Sequence, residues 1–387
     1  MGWAALSELV PLYPLYALLF LDTGLSGAQI SMLFAVWSIT SFVTEVPAGV
    51  LADRWSRRGV VVLAGVLQAA GFAVWTAAPE TWAFAVGFVI WGLSGALVSG
   101  ASEALVYDGL AAVGAGDGYV RVNGWMTSAE LLVQVPTAFA ASALFAVGGY
   151  PLVGWASVVV CLAAAALALR FPEPPRTAEG DDDEDEPLRE GAVEALRSPA
   201  LRVLVLAVAL IGGLDAIEEY FPVLAGDWGV PTEAVPFAVL VIALAGAAGA
   251  ALGGRADRLR VGTLLALLVV AAGCLALAAV WARPAALVAV AVFYALYLAV
   301  LVVAEARLQD GIASTHRATI TSVAGLGIEI ASLLVFAAWA LGGPMAVALL
   351  VLAVVPVVRA GLRTREPSAP AAGTWTEERR RRRGSRG

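Results

Sequence analysis

Runs of about 20 apolar residues recur from one end of this chain to the other, a length that suits a bilayer better than a soluble core. At about 1.5 Å per residue, a helix of that length crosses the ~30 Å hydrocarbon of a membrane. Composition agrees: 60% of the 387 residues are hydrophobic and 14% are charged, against about 45–50% and about 25% in soluble proteins. The expected fold class is therefore an all-α integral membrane protein. Cutting the runs where charge, Gly/Pro clusters or turns interrupt them gives twelve spans: 3–21, 28–52, 59–78, 82–107, 121–147, 150–171, 200–223, 233–253, 261–282, 284–307, 318–341 and 343–361.

Two short patterns then repeat about two hundred residues apart, in the same order. Gly49-Val-Leu-Ala52-Asp53-Arg54 returns as Gly253-Gly-Arg-Ala256-Asp257-Arg258. Glu103-Ala104 followed by Asp108-Gly109 returns as Glu305-Ala306 followed by Asp310-Gly311. Such a repeat in so apolar a chain reads as a duplicated membrane unit. The expected organisation is an N-terminal six-helix bundle (1–171), an acidic linker (172–199), a C-terminal six-helix bundle (200–361) and a basic tail (362–387).

Charge position orients the bundle. All 24 basic residues are arginines, a usage that suits GC-rich codons and a bacterial source. Placing the loop after the second span in the cytoplasm also puts Arg121, Arg170, Arg202, Arg260, Arg307, Arg359 and the Arg379–Arg383 run there, and leaves only Arg283 opposite. A multi-pass protein of the plasma membrane with both termini in the cytoplasm is then expected. The first span carries Glu8, Pro11 and Pro14 without a basic leader, so it reads as a retained helix. The six acids of 181–186 mark a solvated hinge, and the basic tail is expected to meet anionic lipid rather than nucleic acid.

Several function classes find little support. Cys161 and Cys274 sit inside apolar runs without metal-site spacing, there is no P-loop, and the one histidine is His316 in a loop. No cofactor, no metal and no enzyme chemistry is expected.

The segment Gly49-Val-Leu-Ala-Asp53-Arg54-Trp-Ser56-Arg57-Arg58, after the second of twelve spans, is similar to the signature loop Gly-x-x-x-Asp-Arg/Lys-x-Gly-Arg/Lys-Arg/Lys of the major facilitator superfamily. Ser56 replaces the second glycine, and the copy after Arg258 is degenerate. The resemblance covers residues 3 to 361 and implies two pseudo-symmetric halves that alternate access to a central site. It further implies that Asp53 meets the start of the eleventh helix near Arg317, and by symmetry that Asp257 faces the fifth near Arg121. A carboxylate is favoured at a helix N-terminus by exposed N–H groups and the helix dipole. With Gly49, Arg54, Arg57, Arg58, Glu103, Asp108, Gly253, Arg258, Glu305 and Asp310, these residues form the expected cytoplasmic gate. Glu103 is expected to pair with Arg57 or Arg58, and Glu305 with Arg258 or Arg260.

Ionisable groups within spans are costly and usually face a cavity. Here they are Glu8, Glu45, Glu130, Asp215, Glu218, Glu219 and Glu329, and none falls in the third, sixth, ninth or twelfth span. In the family those four helices form the outer scaffold. Depth along the helix ranks Glu329 first for proton coupling or substrate contact, then Glu130 and Asp215, and places Glu218 and Glu219 toward external water. Tyr13, Tyr16, Trp37, Trp91, Tyr294 and Tyr297 are candidate cavity aromatics, suited to a cationic or amphipathic molecule. No arginine lies mid-span, which disfavours an anionic substrate. The leading expectation is a monomeric secondary transporter exporting a neutral or cationic amphipathic compound in exchange for protons. The alternatives are uptake or facilitated diffusion of a neutral metabolite, and a non-transporting receptor or scaffold. The stretch Glu130 to Phe139 keeps Pro136 but lacks the glycines of the drug/proton antiporter motif.

Overall fold

The computed structural model describes residues 1–173, 198–255, 259–312 and 317–363, the side chains at positions 53, 117 and 317–319 excepted. The described residues are almost entirely helical: α1 (Gly2–Glu8), α2 (Tyr16–Asp22), α3 (Gly27–Arg54), α4 (Arg57–Ala77), α5 (Thr81–Ala112), α6 (Tyr119–Ala168), α7 (Pro199–Gly213), α8 (Phe221–Asp227), α9 (Val235–Gly254), α10 (Val261–Trp281), α11 (Leu287–Gly311) and α12 (Arg317–Arg363). Among them, nine helical stretches are long and apolar enough to cross a membrane. Two of these fold back on themselves at glycine, α6 at Gly149 (φ 60°) and α12 at Gly342 and Gly343 (φ 59°). That left-handed φ excludes a β-carbon at little cost only in glycine, and Pro151 and Pro344 then start the returning helices with their preset φ. With α1 and α2 as one interrupted passage, the arrangement is consistent with the twelve expected spans.

The first passage breaks because Pro11 and Pro14 remove donors from the helix ladder. Neighbouring hydroxyls absorb part of that loss. The Leu12 N–H donates to Ser157 Oγ at 3.0 Å, and Thr137 Oγ1 donates to the Glu8 carbonyl at 3.4 Å. The passage that begins the second repeat is interrupted too. Between α7 and α8, Leu214–Tyr220 winds as a 3₁₀ helix, and the Tyr297 hydroxyl donates to the Ile211 and Gly212 carbonyls at 3.0 and 3.3 Å. Lipid cannot hydrate such freed groups, so a broken helix at membrane depth has to lie against protein or a wet cavity.

Elsewhere small residues let backbones approach closely, as they must where lipid removes the hydrophobic drive for helix association. The clearest case is α9 against α11. A β-carbon on Gly249 would lie 2.0 Å from the Ala295 carbonyl oxygen, and one on Gly253 would lie 2.5 Å from that of Ala299. Gly49 differs from its repeat partner Gly253, since nothing stands within 4 Å of a β-carbon placed there.

The first six and last six passages meet most densely at the end opposite the Asp53-Arg54 loop. There Phe34 packs edge-on to Tyr220 (5.2 Å) and against Phe336 (5.7 Å), Phe139 meets Phe237 (5.0 Å), and Ser31 shares a 2.7 Å hydrogen bond with Tyr220. Tyr220 in turn stacks on Trp339 at 3.9 Å. Toward the Asp53-Arg54 end, by contrast, Val43, Val46 and Leu51 of α3, Leu132 of α6 and Leu326 of α12 stand exposed.

Candidate functional site

Below the aromatic plug lies a cavity of about 350 Å³ between the two groups of helices. The broken first passage supplies Glu8, Tyr13 and Tyr16, and the interrupted seventh supplies Glu218, Glu219 and Phe221. Trp37, Trp91, Gln134 and Tyr294 complete its polar and aromatic wall. In the 3₁₀ stretch side chains three residues apart eclipse, which sets Asp215 and Glu218 in one row toward Tyr294. Among the described residues, no basic side chain lines the cavity.

Its first-half wall is a continuous aromatic stack. Trp91 lies nearly parallel to Tyr13 (5.6 Å, 13°), Phe88 (5.8 Å, 14°) and Trp37 (5.2 Å, 28°). Gln68 Nε2 donates to the Tyr13 hydroxyl at 2.6 Å and fixes that ring. Across from it, Tyr294 joins two carboxylates, its hydroxyl lying 3.0 Å from Asp215 Oδ1 and 3.1 Å from Glu218 Oε2. The Tyr16 hydroxyl donates to Glu219 and so links the two groups of helices at the cavity roof. Aromatic faces and carboxylates, with no basic side chain among the described lining residues, make an electrostatic surface complementary to positive charge.

Five of the six candidate aromatics, Tyr13, Tyr16, Trp37, Trp91 and Tyr294, meet at this cavity. Tyr297 is fully buried behind it, holding the interrupted helix. Asp215 is not among the lining residues, but it accepts from the Tyr294 hydroxyl, which is one of them. Glu218 and Glu219, expected near external water, instead face the cavity, because the plug built on Tyr220 and Trp339 separates them from the far surface. Glu329 is not among the lining residues. It accepts from Ser38 Oγ at 3.2 Å on the seam between α3 and α12, and Ser332 Oγ donates to its carbonyl at 2.6 Å. Glu45 accepts from Ser99 Oγ at 3.0 Å. Glu130 faces a second cavity within the first six passages.

At the loop end, Ser56 caps α4: its Oγ accepts from the Gly59 N–H at 2.8 Å and donates to Glu173 Oε2 at 2.8 Å. Its φ of −151° is extended backbone, so the position does not need glycine. Arg57 pairs with Asp108, while Arg58 lies 3.6 Å from Glu173 and donates to the Phe171 carbonyl at 3.1 Å. Sequence reasoning missed Glu173, which falls in the expected linker and carries no pattern of its own. Arg121 lies over Trp125 at 5.4 Å, Glu103 lines the second cavity, and Glu305 is exposed. Arg54 and Asp310 are both engaged by neighbours. Asp257 and Arg258 lie outside the described residues, as do the side chains of Asp53 and Arg317.

The fold has clear relatives. A bacterial homologue of the human lysosomal transporter Spinster, inward-facing and unoccupied, superposes with a TM-score of 0.67 at 14% identity, over 94% of this chain and 91% of that one. A D-xylose-proton symporter gives 0.68 at 15% identity, over 92% and 95%. An inward-facing bacterial homologue of the iron transporter ferroportin gives 0.69 at 16% identity, over 94% and 96%. Identities this low speak to the fold alone. A search of curated protein sequences finds no match. The family model of the Major Facilitator Superfamily matches residues 2–336, so this chain, with its repeated Asp-Arg loops and paired interrupted helices around one cavity, belongs to the major facilitator superfamily.

Proposed function

We propose that this protein is a proton-coupled exporter of a cationic or neutral amphipathic organic compound, working by alternating access in the plasma membrane of a bacterium. The observation that carries this reading is the cavity itself: Glu8, Glu218 and Glu219 face an aromatic wall, and among the described residues no basic side chain lines it. A carboxylate facing such a space binds either a proton or an organic cation, and that competition couples the two movements. With the Asp53-Arg54 loop taken as cytoplasmic, the cavity is sealed from outside by Tyr220 and Trp339 and receives its ligand from within. The Asp53 and Asp257 clusters then serve as the inner gate, breaking as it opens. Membership in the superfamily supports transport rather than enzyme chemistry, with a small molecule and protons as partners and one chain as the working unit. Glu218 is the first candidate for substrate charge, and Glu329 is assigned to the seam between the halves.

A thermal-shift panel of cationic, neutral and anionic amphipaths on the purified protein tests the reading, since a ligand that binds the folded state raises its melting temperature. Cations are expected to stabilise it, and Glu218→Gln to abolish that shift while Glu329→Gln keeps it. The stabilising compounds should then accumulate in inside-out vesicles only when a pH gradient is imposed. Stabilisation by anions alone, or accumulation indifferent to the gradient, would overturn the proposal.

A further inference from the structure

A second cavity, of about 370 Å³, lies inside the first six passages, on the side of the Asp53-Arg54 loop. Its walls come from α1, α4, α5 and both arms of α6, and they are unusually polar for the interior of a membrane bundle. Ser7, Gln68, Ser99, Asn123 and Thr127 line it, together with the carboxylates Glu103 and Glu130. A polar space of that size between helices is suited to water, which solvates the carboxylates of Glu103 and Glu130 where an apolar filling would not.

This cavity and the central one share three residues: Glu8, Tyr13 and Trp91. Tyr13 and Trp91 lie face to face at 5.6 Å, with Tyr13 pinned by Gln68, so the two rings form a partition. Glu8 sits at the last turn of α1, where the helix breaks, and is a lining residue of both cavities.

We propose that the second cavity is a water-filled proton route from the cytoplasm to Glu8, separate from the path taken by the substrate. A ligand that fills the central cavity expels its water, and Glu8 would then lose contact with bulk protons if that were its only access. Through the second cavity a hydronium gives its proton to a Glu8 carboxylate oxygen and leaves water behind, whether or not the central cavity is occupied. The reverse step discharges the proton to the cytoplasm. The titratable and charged groups around Glu8 are Glu130, with the Met1 amine near it, and Cys161 of α6, Glu103 of α5, Tyr13 of the first passage and Glu219 of the interrupted seventh. The inference rests on proton coupling, the reading given above, and adds where the proton travels.

Two measurements on the full chain test it. The first is access. In a background with Cys161 and Cys274 replaced by serine, Gly95→Cys places a thiol in the second cavity without strain, since the nearest atom to its β-carbon is Ser41 Oγ at 3.9 Å. A small membrane-impermeant cationic methanethiosulfonate added from the cytoplasmic side should modify it equally fast with and without Leu240→Trp, which fills the central cavity. Loss of labelling in Leu240→Trp would show a single shared path and overturn the proposal. The second is proton arrival, followed as the infrared band of the protonated Glu8 carboxyl after a pH jump and assigned by its absence in Glu8→Gln. Leu240→Trp should leave its rate unchanged, and either Ser102→Trp or Thr127→Trp, from opposite walls of the second cavity, should slow it. The opposite pattern refutes the separate route. If labelling behaves as expected but no Glu8 band responds to pH, the route is open and the coupling reading itself has failed.

Discussion

Replacement of Gly249 by alanine adds one methyl group, and the structure sets its cost. The new β-carbon would lie 2.0 Å from the Ala295 carbonyl oxygen, 2.6 Å from the carbonyl carbon and 2.7 Å from Cα. All three are backbone atoms, so no rotamer change relieves the clash. Ordinary contact begins at 3.4 Å, leaving a deficit of about 1.4 Å that only a separation of α9 from α11 can supply. Overpacking of this kind costs about 1–3 kcal/mol. The displacement also bears on the site, because Ala295 follows Tyr294, whose hydroxyl lies 3.0 and 3.1 Å from Asp215 and Glu218. A shift of about 1 Å takes both contacts past hydrogen-bond range. Gly273 is the control: it is exposed in the middle of α10, nothing lies within 4 Å of a β-carbon there, and alanine should stabilise by roughly 0.5–1 kcal/mol through helix propensity. Thermal unfolding of the purified variants should therefore rank Gly273→Ala at or above the parent and Gly249→Ala well below it. Equal stability of the two would refute the claim that α9 and α11 meet backbone to backbone.

Three further outcomes are expected. Ser157→Ala should lower stability by about 1–3 kcal/mol, since it leaves the buried Leu12 N–H of the broken first passage without its acceptor; unchanged thermal unfolding would mean that the break is held by something else. If the Asp53 cluster closes the inner face, Asp53→Asn should lengthen double electron–electron resonance distances between labels at Val113 and Arg255 and reduce turnover, whereas unchanged distances with full transport would remove Asp53 from the gate. Single cysteines at Thr177 and Ser385 should be labelled only from the cytoplasm and one at Thr232 only from outside, and labelling of Thr232→Cys and Ser385→Cys from the same side would overturn the orientation.

The membrane class and the helical fold were legible in the chain because both are set by local quantities, the length of apolar runs and the scarcity of charge inside them. The superfamily was legible because a short loop carries charges at fixed spacing, and Gly49 to Arg58 keeps them even where Ser56 stands for glycine. Ionisable residues inside spans were legible as candidates for the same reason, since each is expensive in lipid wherever it ends up. Their ranking was not. Depth along a helix says how far a carboxylate lies from water in a straight cylinder, and the first and seventh passages are not straight. The first break has Pro11 and Pro14 as a signal, although 3–21 reads as one retained helix, and the matching interruption at Leu214–Tyr220 carries only the Gly212-Gly213 pair and Pro222. That unwinding, together with the plug formed by Tyr220 and Trp339, brings Glu218 and Glu219 to the cavity wall. Glu329, central by residue count, lies on a seam because helix rotation, fixed by packing of α12 on α3, turns it toward Ser38. Sequence determines what each passage contains and where it can stop; which of its faces meets water, lipid or another helix is settled only when all the passages pack together.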